Sequence, residues 1–305
     1  MTAFQSLSER QSWFEAGARQ RVAALADPGS FVEFIGPEKR ETSPHLALFD
    51  LPVQFDDGII VGAATIGGKP VLLAAQEGRF MGGAFGEVHG AKLTGLLRAA
   101  KILKRDVVIA FDTGGVRLQE ANAGELAIAE MMRAVIDARA AGVRVIGLIG
   151  GRAGCYGGGS LTAGCCSSLV ISEQGRLSVS GPEVIETNKG VEEFDSRDRA
   201  FIWRTMGGKH RYLIGGTDLF VDDEPTAFRN AAIAALSRPA RFDAATLEAE
   251  QQRLERRLTR FGTKQDGLDI WSALGVTDAA AVPEMPVDDF LATANPIRET
   301  ADDAR

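Results

Sequence analysis

The chain is poor in cysteine, histidine and tyrosine: three, three and two of 305 residues. Cys155, Cys165 and Cys166 are odd in number and all lie in the second half. That count makes neither a disulfide framework nor a zinc site, and free buried thiols in a reducing compartment are expected. His45, His89 and His210 are too few and too scattered to hold a metal. No apolar run approaches the roughly 20 residues of a membrane span. The N-terminal stretch "MTAFQSLSERQSWFEAGARQ" is too polar and too acidic for a secretory signal, so a cytoplasmic protein is expected. A basic excess is also missing: 34 Lys and Arg stand against 41 Asp and Glu, a net charge of −7. This disfavours nucleic acid or an anionic membrane as the main partner.

Hydrophobic content of 45% and charged content of 25% are those of a globular protein. A length of 305 residues fits one large α/β domain with appendages. Glycine is the abundant residue. There are 35, against a usual share of about 7%, so their placement carries information.

Residues 1–26 read as a helix marked by Leu7, Phe14, Val22 and Leu25, with Ser6 or Ser8 as cap. Residues 27–57 carry Pro28, Pro37, Pro44 and Pro52 and read as irregular chain. "IIVGAATI" and "KPVLLAAQ" flank "GGK", a hairpin signal. A helix follows to about Lys104, with Val88, Ala91, Leu96, Ala99 and Leu103 at near-helical spacing. "DVVIAF" and "VRVIGLI" are strands, apolar enough to be buried on both faces. Between them, residues 118–140 form the clearest helix, with Ile128, Met131, Met132, Val135 and Ile136 on one face. A small-residue helix around "SLTAGCCSS" and the strand "LVISE" continue the alternation. It predicts a largely parallel sheet with helical crossovers. Past Ser237, "TLEAEQQRLERRLTRF" predicts a surface or partner-facing helix with Leu247, Leu254, Leu258 and Phe261 on one side. The acidic, Ala-rich tail after Pro283 is expected to be partly disordered. The expected organisation is an N-terminal segment (1–57), a central α/β domain (58–237) and a C-terminal helical extension (238–305).

Glycine clusters sit at two strand-to-helix turns, "FDTGGVRLQEANAG" from Phe111 and "GCYGGGS" from Gly154. Residues 142–164 alone hold nine glycines. A helix start leaves amide N–H groups without partners and adds positive potential. Glycine lets a ligand approach that backbone. Two such turns from adjacent strands are able to aim two amides at one oxygen, the anatomy of an oxyanion hole. The competing reading of each glycine pair is a tight turn or close helix packing. No P-loop, dinucleotide fingerprint or nucleophile elbow is present. Arg117 and Glu120 either orient the first turn, touch substrate, or form a structural salt bridge. His89 reads as structural or as an approach to a ligand. Cys155 has no legible base partner and is not read as a nucleophile.

"RFMGGAFGEVHGAK", "TGGVRLQEA", "GCYGGGS" and "SGPEVIE" resemble successive motifs of the carboxyltransferase branch of the crotonase superfamily, including the β subunit of the acetyl-CoA carboxylase carboxyltransferase. "DDGIIVGAATIGGKPVLLAAQEG", "TGGVRLQEANAG" and "GVEEFDSRDRAFIW" resemble the β subunits of biotin-independent malonate decarboxylases in particular. The four-cysteine zinc ribbon usual in bacterial carboxyltransferase β subunits is missing, since residues 1–154 contain no cysteine.

The resemblance implies an α/β fold, a crotonase-like spiral of ββα units with N- and C-terminal helical appendages. It implies a malonyl thioester on an acyl carrier protein as substrate and a homologous γ subunit as partner in a hetero-oligomer. The acetyl thioester and CO2 would be the products, with no biotin, metal or directly bound cofactor. The CoA-derived prosthetic group of the carrier would bring the substrate. On this reading amides of Gly114 or Gly115 and of Gly157 or Gly158 hold the enolate oxygen. Gly82, Gly83, Arg117, Glu120 and Tyr156 line the substrate site, and Tyr156, Glu120, His89 or water supplies the proton. Two rival expectations are a subunit moving a carboxyl group between biotin and an acyl-CoA, and a non-catalytic assembly subunit.

Overall fold

The computed structural model describes residues 11–300. Seven strands form one sheet in sequential order: β1 (Val32–Glu33), β2 (Ile59–Ile66), β3 (Lys69–Gln76), β4 (Asp106–Phe111), β5 (Val145–Ile149), β6 (Ser168–Ser172) and β7 (Leu219–Val221). β1, β2 and β3 pair antiparallel, and β3 to β7 pair parallel. The β2–β3 hairpin turns at Gly67 and Gly68, as its sequence predicts. Every residue of β5 and β6 is buried, which is why these segments are continuously apolar rather than alternating.

Among the described residues, twelve α-helices accompany the sheet. They are α1 (Ala18–Leu25), α2 (Pro44–Leu48), α3 (Glu87–Leu103), α4 (Asn122–Ala140), α5 (Gly157–Gly164), α6 (Pro182–Lys189), α7 (Arg199–Met206), α8 (Gly208–Leu213), α9 (Pro225–Ala235), α10 (Ala244–Phe261), α11 (Gly267–Leu274) and α12 (Val287–Thr300). One face of the sheet packs on α3 and α4 through Leu93, Leu97, Met131 and Val135. The other packs on α1 and α9 through Val22, Leu25, Phe228 and Ala232.

Between each of the strands β3 to β6 and the next helix the chain makes a second, short pairing. Phe85 bridges Val116, Thr113 bridges Cys155, and Cys155 bridges Leu177, all parallel. Strand, short bridge, helix is therefore the repeating unit. Four units in sequence (β3–Phe85–α3, β4–Thr113–α4, β5–Cys155–α5, β6–Leu177–α6) wind the crotonase-like spiral.

Three expectations need correction. The helix expected over residues 1–26 is not formed at residues 11–17: α1 begins only at Ala18, after a Gly17 cap. Trp13 leaves the helical path to stack on Phe228 at 4.3 Å, and the Phe14 amide bonds Asp223. The cap candidates Ser6 and Ser8 lie outside the described residues. On α3 the buried face runs through His89, Lys92, Leu93, Leu96, Leu97 and Ala100, while Ala91 and Leu103 point outward. The apolar pattern misplaced the face because the fold buries a histidine and a lysine there. The tail is ordered up to Thr300: α12 buries Phe290 and Ala294 completely in the main core. Leu247, Leu254 and Leu258 on α10 stay open, at 53, 48 and 72% exposure.

Candidate active site

The two glycine turns are the second and third of the short bridging segments, and they touch. Thr113 N donates to Gly154 O (2.8 Å) and Tyr156 N donates to Thr113 O (2.9 Å). This zips the turn after β4 to the turn after β5. Gly115 adopts φ +127° and Gly157 φ +54°, backbone that favours glycine. A Cβ on Gly157 would stand 3.0 Å from Gly115 Cα, so side chains are excluded where the turns meet.

The amides at this junction divide into used and free. Gly114 N donates to Gly82 O (2.8 Å), Gly115 N to Thr113 Oγ1 (3.1 Å) and Gly157 N to Val179 O (2.8 Å). Three of the four glycines named from sequence thus spend their N–H groups on building the turns. Two amides have no partner among the described residues: Val116 N and Gly158 N. They belong to the residues directly after Gly115 and Gly157, the two glycines that meet. Val116 N lies 3.9 Å from where a Cβ on Gly157 would stand, one residue before Gly158. Gly158 also opens α5, so its amide shares the positive end of that helix. Val116 is the residue sequence reasoning missed. The available signal is that a glycine pair consumes its own amides in turning, which leaves the next residue's donor free.

The first turn is held by a buried ionic cluster. Arg117 Nη1 donates to Asp57 Oδ2 (2.8 Å) and Glu120 Oε1 (2.9 Å), and its Nη2 donates to Asp57 O (2.8 Å). Asp57 Oδ2 also accepts from His89 N (3.0 Å), and Glu120 Oε2 from Glu87 N (2.6 Å). The side chains of Arg117, Asp57 and Glu120 have no exposure. Arg117 and Glu120 therefore form the structural salt bridge, not a surface open to substrate. Burial alone would raise Glu120, but the Glu87 amide and the Arg117 guanidinium bring it below its ordinary value. Burial pushes Asp57 upward against the pull of Arg117.

His89 is also structural. It is fully buried between Asp57 O (3.0 Å from Nδ1) and Gln76 Nε2 (3.0 Å from Nε2). With Nδ1 donating to the carbonyl and Nε2 accepting from Gln76, the imidazole is neutral. Burial, then the nearby Arg117 charge, holds its pKa well below the ordinary histidine value.

A second pair ties both turns to the N-terminal segment. Arg21 Nη1 donates to Asp112 Oδ2 (2.7 Å), and Asp112 Oδ1 accepts from Ala153 N (2.6 Å). Asp112 directly precedes Thr113, so one carboxylate reaches both turns. Gly82 and Gly83 lie beside the first turn, where the Gly82 carbonyl supports Gly114. Cys155 is fully buried and its thiol is pushed well up by that burial, so it is not a poised nucleophile. Tyr156 is different. Its ring packs with Ile202 and Met206, it is 5% exposed, and its hydroxyl has no hydrogen-bond partner. Burial pushes this phenol up to about 12.

Comparison with known proteins agrees with this geometry. The carboxyl transferase domain family matches residues 15–241. A malonyl-S-ACP:biotin-protein carboxyltransferase of Malonomonas rubra is 38% identical over 94% of this chain and 97% of its own length. A chain of a Pseudomonas malonate decarboxylase hetero-tetramer, solved in complex with malonate, superposes with a TM-score of 0.76 at 40% identity. That match covers 81% of this chain and 92% of the other. A chain of a Pseudomonas malonate decarboxylase hetero-dimer gives 0.65 at 35% identity, covering 80% and 97%. The chain belongs to the carboxyl transferase domain family, as a malonate decarboxylase-related carboxyltransferase, an enzyme acting on carboxyl groups.

Proposed function

We propose that this chain is the β subunit of a malonate decarboxylase, converting a malonyl thioester on an acyl carrier protein to the acetyl thioester and CO2. The observation that carries the reading is that two partnerless amides, Val116 N and Gly158 N, directly follow Gly115 and Gly157, the two glycines that meet where the turns touch. When the bond between the α-carbon and the carboxylate breaks, CO2 leaves and the electron pair passes into an enolate. Its charge sits on the thioester oxygen. Amides already aimed at that oxygen lower the barrier without reorganising, each by about 3–4 kcal/mol. No base is needed to break the bond. The carbanion then takes a proton. Glu120 and His89 are buried and engaged, which leaves water or the free Tyr156 hydroxyl as the source.

The chemistry needs no biotin, metal or cofactor on this chain; the carrier's CoA-derived arm would present the substrate. We assign a γ subunit as partner in a hetero-oligomer. The similarity to chains of hetero-tetrameric and hetero-dimeric malonate decarboxylases supports it. So does the apolar surface beside the first turn, where Leu118 and Leu126 are 83 and 63% exposed.

A second reading has its own support. The similarity to a malonyl-S-ACP:biotin-protein carboxyltransferase over nearly the whole chain fits capture of the CO2 by a biotin carrier. Both readings use the same enolate. Co-purified β and γ subunits, supplied with malonyl carrier protein and no biotin, separate them. CO2 release under those conditions supports the decarboxylase, and release only on adding biotinylated carrier supports the transfer.

A further inference from the structure

Thr113 stands between the two glycine turns and is completely buried. Its backbone makes the two bonds that zip them together, to Gly154 O and from Tyr156 N. Its side chain then reaches both turns again. Oγ1 accepts from Gly115 N (3.1 Å), in the peptide unit just before the one that carries Val116 N. The hydroxyl donates back to Gly115 O (3.4 Å), so it grips both polar groups of that residue. Cγ2 lies against the other turn: a Cβ on Gly159 would stand 2.4 Å from it. Gly159 directly follows Gly158 in α5. Each branch of one side chain thus touches the chain neighbour of one free amide.

Threonine suits this place for two physical reasons. It is β-branched and stiff at χ1, so its hydroxyl and methyl keep a fixed separation. It also offers an acceptor on one branch and an apolar spacer on the other, which neither valine nor serine does. Gly115 is buried at φ +127°. Without Oγ1 its N–H would be stranded, which is costly. That peptide would turn toward another acceptor and carry the Val116 amide with it. On the methyl side Phe85 Cε2 closes the same spot, 3.2 Å from the Cβ position at Gly159. The start of α5 therefore rests on Thr113 with no space to spare. The ionic braces do not reach this far: Asp112 meets the second turn only at Ala153, well before Gly158.

We propose that Thr113 is the positioning residue of the oxyanion site: its hydroxyl orients the Val116 amide through Gly115, and its methyl seats the Gly158 amide through Gly159. The inference rests on the enolate reading above and deepens it. The spacing of the two donors is then set by the shape of one side chain, and the glycines supply only the room. Thr113 touches no substrate atom. It acts on the reaction by holding the donors where the oxyanion develops.

The test uses the complex of this chain with its partner subunit and malonyl carrier protein as substrate. Acetyl-pantetheine labelled with 13C at the thioester carbonyl serves as a non-reacting probe. Amides that grip the carbonyl oxygen draw its 13C resonance downfield when the probe binds. Thr113→Val keeps the shape and loses the acceptor. Its kcat should fall about tenfold or more with KM nearly unchanged, and the downfield shift should shrink. Thr113→Ser keeps the acceptor and should retain most of both. Gly159→Ala drives a methyl group into Thr113 Cγ2 and should lower kcat and the shift in the same way. It serves if the valine variant does not fold. Adding Thr113→Ser to Gly159→Ala makes room for that methyl and should restore part of kcat. Wild-type kcat and carbonyl shift in a folded Thr113→Val complex would overturn the proposal. Equal losses in the valine and serine variants, or no rescue in the double variant, would overturn it too. A carbonyl shift that depends on Thr113 in a complex releasing no CO2 would uphold the positioning role while removing the decarboxylase reading.

Discussion

The two glycine turns make the same strand-to-helix transition and are held in opposite ways. The first is fixed by charge: Arg117, Asp57 and Glu120 lock it from one side, and Asp112 with Arg21 from the other. The second is fixed mainly by backbone, through bonds to Thr113, Val179 and Arg176 and through close packing of Gly158 on Ile128 and of Gly159 on Thr113. Its own Tyr156 hydroxyl is buried without a hydrogen-bond partner. A turn that only has to hold a donor still can be braced on every side. A turn that also receives substrate must keep some groups free.

The largest expected effect comes from breaking the brace. Removing one partner of a buried ion pair typically costs about 3–5 kcal/mol, because a desolvated charge is stranded. Arg117→Met should therefore lower the thermal midpoint of the whole chain by many degrees. A denaturation scan showing a near-native midpoint would mean that the first turn does not depend on this cluster. The triple variant Arg117→Met, Asp57→Asn, Glu120→Gln should recover part of the loss, since it removes the stranded charges together.

The second effect is local to the junction. Gly157→Ala places a methyl group 3.9 Å from the free Val116 amide and 3.0 Å from Gly115 Cα, at a φ that alanine resists. Losing one oxyanion donor typically slows turnover by about 10²–10³-fold. Turnover should fall by at least that much while the melting midpoint moves by only a few degrees. Gly164→Ala, at the far end of α5 with open space around it, is the control and should leave turnover intact.

A smaller effect concerns pH. His89 and His210 are buried and neutral, with pKa values lowered by burial, that of His210 to about 3. Below the ordinary value of 6.5 the unfolded chain binds protons that the folded chain refuses. Stability must then fall as pH drops through 6.5, by up to about 1.4 kcal/mol per pH unit for each histidine. His210 accepts from Trp271 Nε1 (3.2 Å), so acid should loosen the C-terminal helices against the core. His210→Gln should flatten the pH dependence of the thermal midpoint between pH 6.5 and 5, and an unaltered slope would refute this assignment.

The comparison also explains what the sequence could reveal. Strand and helix alternation, the hairpin at Gly67–Gly68 and the fully buried strands were legible because each follows from local periodicity and composition. The pairing of "TGG" with "GCYGGGS" was legible as two glycine turns at equivalent places. Which amides stay free was not legible, because it depends on the rotamer of Thr113 and on Gly82 O and Val179 O, brought in from two other segments. Arg117 and Glu120 read equally as site residues or as a salt bridge, and only Asp57, sixty residues earlier, decides between them. The order of α12 was hidden by an acidic, Ala-rich composition, since only Phe290 and Ala294 are fully buried and Val287, Leu291 and Ile297 pack partly against the core.

The central claim is that Val116 N and Gly158 N act as one cradle for a developing oxyanion. The most direct measurement replaces each amide with an ester, by incorporating the matching α-hydroxy acid, which deletes the N–H and leaves shape and side chain in place. Turnover of malonyl carrier protein by the assembled complex should fall about 10²–10³-fold for either ester. The same change at Gly115, whose N–H already serves Thr113, should cost far less. Full turnover with esters at both Val116 and Gly158 would contradict the account.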